Sequence, residues 1–341
     1  TLSVILREDT PSLDEVVVIG YGVQRKGDVT SSVASVKPEN FVKGAVRDIG
    51  QLVQGKVAGL AITNPNGNPV GETQIKLRGT NSLGGANTNP LVLIDGIPGS
   101  LSTVAPEDVE SVDVLKDGSA AAIYGTRGTN GVILITTKQA QTREINSFEY
   151  NGYISTSQIA KKLDMLNADE FRALYPEQDH GANTDWLDEI TRTPVTHVHN
   201  LSFQGGTSST SYIANINYSN QQGIMLKSDN ENFRGRIEIT QRLFDDKVRV
   251  KLGIFGRQNQ YESTASDGSF RGAAYSQATR RNLTDPVKNE DGSWHENLSK
   301  FEYENPLALI YESEGNVKNT TLRYHVNLTY NSIKDVTLSA L

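Results

Sequence analysis

Apolar and polar side chains alternate strictly in the second half of the chain. In residues 212–218, Tyr212 and Ile216 fall on one face of an extended chain, whereas Asn215 and Asn217 fall on the other. An alternation with a period of two indicates a β-strand with one apolar and one polar face. The same pattern predicts six further strands, in residues 148–156, 197–206, 233–240, 248–254, 322–330 and a segment that begins at Val336.

Two architectures can accommodate such strands. In a soluble sandwich the apolar faces of two sheets pack together. In a membrane barrel the apolar face meets lipid and the polar face lines the lumen. The links between the strands favour the barrel, because long extracellular loops and tight periplasmic turns are expected to alternate. The long links are residues 157–196, 220–231 and 258–319, and the short links are residues 207–210, 243–247 and 331–335.

Aromatic residues and helix caps add detail to this prediction. Asn167 is followed three residues later by Glu170, which predicts a capping box at the start of a short helix in the first long loop. Residues 185–190 predict a second short helix. Aromatic residues near the strand ends are typical of an interfacial girdle, and these are Phe148, Tyr218, Phe233, Phe255 and Tyr330.

The first 140 residues follow a different pattern, with short apolar runs separated by Gly and Pro. Val109–Leu115 and Gly131–Thr137 predict strands, and the Ala-rich segment Ser119–Tyr124 predicts a short helix between them. No Gly-Lys-Ser/Thr triplet follows the glycines of this region, which excludes a phosphate-binding loop. We interpret these glycines as turn residues, and they are Gly118, Gly125, Gly128 and Gly131.

Composition narrows the class of protein. Hydrophobic residues make up 36% and charged residues 21% of the chain, which is typical of folded protein. The net charge is −7 and no basic patch is visible, so nucleic acid is not an expected partner. The apolar runs are far shorter than the ~18 residues of a membrane helix. The chain has no cysteine, which excludes disulfides and thiolate metal sites.

Residues with catalytic potential form no recognisable arrangement. The sequence contains no nucleophile elbow, no zincin motif and no spaced pair of carboxylates, so we predict neither an enzyme nor a cofactor. His197 and His199 share one strand face and could bind a metal ion. Because no third ligand is evident, a histidine pair at the surface or in the lumen is the favoured interpretation.

Five ordered segments of the first half resemble one protein family. Residues 13–22 (LDEVVVIGYG) resemble the Ton box and the following residues of SusC/RagA-type TonB-dependent transporters. The resemblance is dense over residues 12–140 and continues at Trp186–Glu189 and at Gly223 and Ile224. Four segments resemble the plug domain of that family, namely Leu52–Leu60 (LVQGKVAGL), Ile75–Gly79 (IKLRG), Pro90–Gly96 (PLVLIDG) and Val109–Lys138.

The resemblance implies an α+β plug domain followed by antiparallel transmembrane β-barrel strands. We therefore expect the end of a preceding domain in residues 1–11, a Ton box segment in 12–22, a plug in 23–140, and the first part of the barrel in 141–341. Barrels that hold a plug have about 22 strands. Seven strands would leave an open sheet, so we expect this chain to be a piece of a longer protein, preceded and followed by further residues.

The function implied by the resemblance is energised import of a bulky solute across the outer membrane of a Gram-negative, Bacteroidota-like bacterium. TonB, with its energising partners ExbB and ExbD, is the implied motor. A SusD-like surface lipoprotein is the implied lid, with loops 160–195 and 258–319 available for contact. The implied substrate is an oligosaccharide, or else an oligopeptide.

Two groups of candidate binding residues follow. An extended segment can add to the sheet of TonB through backbone hydrogen bonds, and the resemblance assigns this role to Asp14, Glu15, Val16, Val17, Val18 and Ile19. The turns Asn64–Glu72 and Gly96–Thr103 should share one end of the plug, because Gln74–Gly79 and Pro90–Asp95 are expected to run in opposite directions between them. The candidate substrate-binding residues in these turns are Asn64, Asn66, Asn68, Glu72, Ser100 and Ser102.

Two alternatives remain open at this point. The chain could belong to a passive or structural outer-membrane barrel, such as an adhesin or a secretion pore, without energy coupling. The Ton-box-like segment argues against this alternative. Val16–Ile19 could also be an ordinary buried strand, and only the plug motifs that follow it favour the TonB-binding interpretation.

Overall fold

The structure is a computed structural model. It describes residues 16–19, 22–25, 33–63, 69–71, 73–79, 88–116, 124–140, 146–262, 269–297, 303–333 and 336–340. The chain divides into two compact units. The first comprises Thr1–Pro65 and Glu72–Gln139, and the second comprises Asn66–Gly71 and Ala140–Leu341.

The first unit is built from three small sheets. The strands β1 (Val16–Ile19) and β2 (Gly22–Arg25) form an antiparallel pair, and β4 (Leu60–Thr63) pairs with β5 (Gln74–Leu77). The short helix α1 (Ile49–Leu52) precedes β4. The third sheet has the order β3-β8-β9-β6-β7 and contains β3 (Val33–Val36), β6 (Leu91–Ile94), β7 (Ile97–Pro98), β8 (Val109–Leu115) and β9 (Val132–Thr137).

Apolar side chains of these sheets form the core of the first unit. Val112 and Val114 of β8 and Ile133 and Ile135 of β9 are fully or almost fully buried, and α1 adds Ile49. The strand predicted at Val109–Leu115 is confirmed, and β9 begins one residue later than predicted. Among the described residues of this unit, short 3-10 helices connect elements at Pro38–Asn40, Pro106–Asp108 and Gly125–Gly128.

The helix predicted at Ser119–Tyr124 lies, except for Tyr124, outside the described residues. The strands β5 and β6, which lie between the two turns predicted to share one end of the plug, belong to different sheets, because both edges of β6 are occupied, one by β7 and the other by β9. The tight β6–β7 turn depends on Asp95 and Gly96, which have φ angles of 50° and 84°. An Asp-Gly pair readily adopts this left-handed geometry.

The second unit contains one antiparallel sheet of seven strands in sequence order. This confirms the number of strands and their order along the chain. The strands are β10 (Ser147–Thr156), β11 (Val195–Gly206), β12 (Thr210–Gln222), β13 (Asp229–Leu243), β14 (Val248–Glu262), β15 (Asn316–Ile333) and β16 (Val336–Ala340).

The strands of this sheet extend further than the alternation predicts. Residues 220–231 were expected to be a loop, but β12 continues to Gln222 and β13 starts at Asp229, which leaves only 223–228 between them. The paired ends are polar on both faces, since Asn220 lies opposite Glu231 and Gln221 opposite Asn230. A strand without an apolar face carries no hydrophobic signal in the sequence.

Short helices lie in the links of the second unit, within the part of the chain that the structure describes. The capping box of Asn167 and Glu170 is present at the start of α2 (Ala168–Leu174). Asp185 caps α3 (Trp186–Glu189), so both predicted helices are confirmed. The remaining elements are a 3-10 helix at Pro176–Gln178 and the helices α4 (Ser269–Arg280) and α5 (Pro306–Tyr311). No helix within the described residues has the length and apolar content needed to cross a bilayer.

The two faces of the seven-stranded sheet differ as the alternation predicted. Ile216, Leu322 and Val326 are exposed on one face, whereas Asn215 and Asn217 on the other face are buried. Arg323 alternates with its exposed neighbours, of which Leu322 is 71% exposed. The sheet therefore has an outer apolar face and an inner polar face. Tyr212, Ala214 and Leu328 also belong to the outer face, and Arg236 and Asn327 to the inner face.

The outer face should contact lipid in the membrane, because Arg or Lys turned toward the bilayer midplane costs about 2–4 kcal/mol. We predict that a lipid-phase thiol label reaches a cysteine at Ala214→Cys and does not reach one at Asn215→Cys, each in the complete protein. The two positions are adjacent, so each serves as the other's control. Equal labelling of both from the aqueous phase would contradict the barrel assignment.

Candidate functional site

The segment predicted to bind TonB forms the strand β1. Val16, Val17, Val18 and Ile19 are extended and pair antiparallel with β2, with Val16 opposite Arg25 and Ile19 opposite Gly22. Asp14 and Glu15 lie outside the described residues. The pairing with β2 was not anticipated from the sequence, because Gly22–Arg25 has no apolar alternation of its own.

The turn Gly96–Thr103 is closed by its own hydroxyl groups. Thr103 Oγ1 accepts a hydrogen bond from the backbone N–H of Ser100 at 3.1 Å, and the Ser100 hydroxyl lies 3.1 Å from that of Ser102. Thr103 is buried and Ser100 is exposed. Ser100 and Ser102 are therefore held on a fixed backbone. The other candidate substrate-binding residues, Asn64, Asn66, Asn68 and Glu72, lie outside the described residues.

The start of helix α1 connects this turn to the start of β5. Asp48 caps the helix by accepting a hydrogen bond from Gln51 N at 3.2 Å, and its second oxygen accepts one from the Thr73 hydroxyl. The N–H of Ile49 contacts the carbonyl of Leu101. A Cβ at Gly50 would lie only 3.0 Å from Leu101 Cδ1 and 3.2 Å from Thr73 Cγ2. Sequence reasoning missed Asp48 and Gly50, although an Asp three residues before Gln51 is a capping signal.

Cross-strand polar contacts cover the inner face of the seven-stranded sheet. Asn217 donates to Asn200 at 3.3 Å and accepts from Arg234 at 3.0 Å. Asn230 donates to the carbonyl of Pro69, which lies in the predicted turn Asn64–Glu72, at 2.8 Å. One row farther along, Arg257 donates to Asn232 at 2.8 Å. These amides and guanidinium groups thus support one another across neighbouring strands.

One carboxylate balances part of the positive charge on this face. Glu238 is 3% exposed and lies 3.1 Å from Lys251 Nζ, 3.7 Å from Arg236 and 3.9 Å from His325. These basic side chains come from three neighbouring strands, β13, β14 and β15. The inner face can therefore hold a buried acid only where bases from adjacent strands surround it.

His197 and His199 lie on the outer face of the sheet. The ring centroids of the two histidines are 5.5 Å apart, and His199 Nδ1 is 2.7 Å from the hydroxyl of Tyr150. The ring of His197 lies 5.7 Å from that of Tyr218. Within the described residues, no group of three His, Cys, Asp or Glu side chains is arranged to hold a metal ion. The geometry is that of a surface pair within an aromatic cluster.

The long loops of the second unit fold together into what we call the loop cap, defined as the described residues of 157–194, 223–228 and 269–315. Its core contains Trp186, which is 1% exposed, and Ile190, which is fully buried. Ala274 and Ala278 are small enough to let α4 approach α3 closely. The other buried members of this core are Leu307 and Ile310, with Leu187, Met225, Leu226, Leu283, Val287 and Trp294 packed around them.

Backbone hydrogen bonds join the first and third loops of the cap. The N–H of Ala182 donates to Thr284 O and that of Thr184 donates to Leu283 O, both at 2.9 Å. Trp186 Nε1 donates to the carbonyl of Asn282 at 2.8 Å. These hydrogen bonds form a continuous seam between two loops whose residues are about one hundred positions apart in sequence. No local sequence pattern predicts such a seam.

A buried ion pair lies at the centre of this seam. Asp285 is 1% exposed, and its carboxylate contacts Arg281 Nε at 3.5 Å, the ring of His180 and the hydroxyl of Tyr303 at 3.1 Å. Arg281 stacks between the rings of Trp186 and Tyr303 at 5.2 and 4.8 Å. Burial raises the pKa of the Tyr303 hydroxyl, so this group remains a hydrogen-bond donor to Asp285 at neutral pH.

Several apolar side chains of the loop cap point away from its core. Leu163 is 57% exposed and Leu174 is 60% exposed, both in the first loop, and Tyr175 and Tyr311 are also exposed. Exposed apolar side chains on an ordered surface are typical of a protein interface. The loop cap thus has a packed apolar interior and exposes apolar side chains at its surface.

Asp285→Ala should loosen the loop cap, because it removes one of the two carboxylates that contact the buried Arg281 and leaves only Glu296 at 3.4 Å, a change that costs about 1–3 kcal/mol. We expect faster proteolysis and faster amide exchange in residues 178–186 and 281–285. The matched control is Asp188→Ala, which removes an exposed pair with Lys162 and should cost less than about 1 kcal/mol. Equal protection of the wild-type and Asp285→Ala loops would show that the buried pair does not hold the cap.

Three comparisons with known proteins agree with this architecture. Residues 25–132 match the TonB-dependent receptor plug domain. The TonB-dependent receptor SusC of Bacteroides thetaiotaomicron is 38% identical over 333 residues, which cover 89% of this chain and 32% of that protein. The TonB-dependent receptor P3 of Formosa agariphila is 35% identical and is covered over 34% of its length, with 97% of this chain matched.

The fold is also similar to that of a solved transporter. The RagAB peptide importer in its open-open state superposes with a TM-score of 0.75 at 24% identity, covering 95% of this chain and 41% of that one. This chain spans about a third of the length of the curated relatives that it matches. The chain therefore belongs to the SusC-type TonB-dependent receptors of the outer membrane and carries their plug domain and strands of their β-barrel.

Proposed function

We propose that this chain is part of an importer that takes up a bulky solute across the outer membrane with energy supplied through TonB. The observation that carries this proposal is the order of elements along the chain: the short strand β1, then a matched plug domain, then a sheet with an apolar outer face. A plug inside a barrel blocks free diffusion of a bulky solute, so work must be done on the plug. The same order supports the division into Ton box, plug and barrel at residues 12–22, 23–140 and 141–341.

TonB is the proposed source of this work, with ExbB and ExbD as its energising complex. The proposed contact comprises Asp14, Glu15 and the strand Val16–Ile19. In strand addition, backbone hydrogen bonds provide the affinity, so TonB can hold this segment with little dependence on its side chains. The relatives reported above are TonB-dependent receptors rather than enzymes, which supports a transport role.

Deletion of Glu15–Ile19 should abolish uptake while the protein still folds and still binds solute at the cell surface, because only the mechanical link is lost. Uptake of labelled solute and binding at the surface are measured separately in the same cells. The control keeps Glu15 and reorders the three valines and the isoleucine of Val16–Ile19, which keeps strand propensity and should retain uptake. Normal uptake by the deletion strain would instead support a passive or structural barrel.

A surface lipoprotein of the SusD type is the proposed partner at the extracellular side. The loop cap supports this proposal, because its folded interior presents exposed side chains such as Leu163, Leu174 and Tyr311. We expect purification of the complete protein in mild detergent to recover such a lipoprotein. Recovery should fall when the cap is loosened by Asp285→Ala and should persist in Asp188→Ala. A complete protein that never carries a lipoprotein contradicts this partner.

An oligosaccharide is the proposed substrate, with an oligopeptide as the alternative. The turns that contain Asn64, Asn66, Asn68, Glu72, Ser100 and Ser102 support this class, because amides and hydroxyls can bind sugar hydroxyls or peptide groups. Ser100→Ala combined with Ser102→Ala should weaken solute binding about tenfold, since each lost neutral hydrogen bond is worth about 0.5–1.5 kcal/mol. Isothermal titration with oligosaccharides and with oligopeptides distinguishes the two substrates. Unchanged binding of both would exclude this turn from the site.

A further inference from the structure

The proposed TonB-binding strand is already half of a β-hairpin. Each residue from Val16 to Ile19 has a partner in β2, and only two residues separate the paired positions Ile19 and Gly22. Within the described residues, β1 and β2 form a sheet of their own and neither pairs with a third strand. One edge of β1 is therefore occupied by β2, and its other edge has no strand beside it in the described part of the chain.

A two-stranded sheet of this size needs a further strand to become stable. An isolated hairpin is marginal in water, and three or more strands are usually required. In an antiparallel pair, alternate residues direct their N–H and C=O groups toward the partner strand, and the residues between them direct theirs outward. The outer edge of β1 therefore offers backbone donors and acceptors in a fixed, extended arrangement, ready to accept another strand.

The composition of β1 supports the same conclusion. The strand consists of three valines and one isoleucine, which are the residue types with the strongest preference for extended structure. It ends at Ile19, and the matched plug domain begins at residue 25, which is the last residue of β2. The second strand of the hairpin is thus continuous with the plug, and the first is the segment offered to the partner.

We propose that TonB adds its strand to the free edge of β1 while β2 remains in place, so that the bound state is a sheet in which the hairpin supplies two strands. This inference rests on the proposed TonB contact and concerns how that contact is made. The hairpin holds β1 extended before TonB arrives, which lowers the conformational entropy lost on binding. It also connects the TonB contact to the plug through β2 and the short link between the strands.

A disulfide across the hairpin tests whether β2 stays in place. Positions 18 and 23 lie directly opposite each other, and opposed positions in an antiparallel pair are close enough for a disulfide. The complete protein with Val18→Cys and Val23→Cys is purified, and its affinity for the purified periplasmic domain of TonB is measured before and after oxidation. The reduced form of the same variant is the reference, so the effect of the cysteines themselves cancels.

The expected result is that the oxidised protein binds TonB at least as tightly as the reduced protein. A loss of affinity of about tenfold or more on oxidation would overturn the inference, because it would mean that β2 must leave before TonB can bind. If neither the reduced variant nor the wild-type protein binds TonB, the proposed TonB contact itself fails. The two failures are therefore distinguishable.

A proline in the second strand provides an independent test without a cross-link. Gln24→Pro removes a backbone donor from β2 and disfavours its pairing with Val17, its partner in the register. Gln24 lies outside the segment offered to TonB. The inference predicts severalfold weaker TonB binding, because β1 would no longer be held extended. Equal binding by Gln24→Pro would overturn the inference, because the hairpin would then give TonB no assistance. Tighter binding would also overturn it, because the hairpin would then compete with TonB.

Discussion

The backbone hydrogen-bond ladder between neighbouring strands is the interaction on which the second unit depends. From β10 to β15, each strand pairs with the next over ten or more positions, as in the fifteen pairs that join β14 to β15. In a bilayer no water replaces a missing hydrogen bond, and an unpaired backbone group costs several kcal/mol. The strands must therefore be long, antiparallel and connected in sequence order, and the side chains are free to differ between the two faces.

This freedom explains how strongly charged residues occur in membrane strands. Arg234 is buried on the inner face directly after Phe233, which is 51% exposed on the outer face. On the inner face, a guanidinium group finds amides and carboxylates of neighbouring strands, as Arg234 finds Asn217. The sheet thus separates a lipid-compatible surface from a polar one within a single layer, and each inner residue depends on partners from the adjacent strands.

The loop cap is held by a different balance of interactions. Its hydrophobic core is small, and the core contains the buried ion pair of Arg281 and Asp285. The desolvation of both charges offsets most of their attraction, so the pair contributes little net stability. Its main effect is to favour one loop conformation over others. The aromatic rings of Trp186 and Tyr303 shield Arg281 from water. A loop that is ordered in this way can present a defined surface to another protein, whereas an unstructured loop would first have to lose conformational entropy.

Local patterns along the chain predict the strands of the second unit, two of its helices and the family. The period-two alternation identified all seven strands of the second unit, and the motif of Asn167 and Glu170 identified a helix start, because these signals arise from neighbouring residues. The folded chain was needed to show that Gly22–Arg25 pairs with Val16–Ile19, that β5 and β6 lie in separate sheets, and that Asp285 joins two distant loops. These features depend on which edges and charges meet in space, and partners far apart in sequence leave no periodic or local pattern that could be read from one chain.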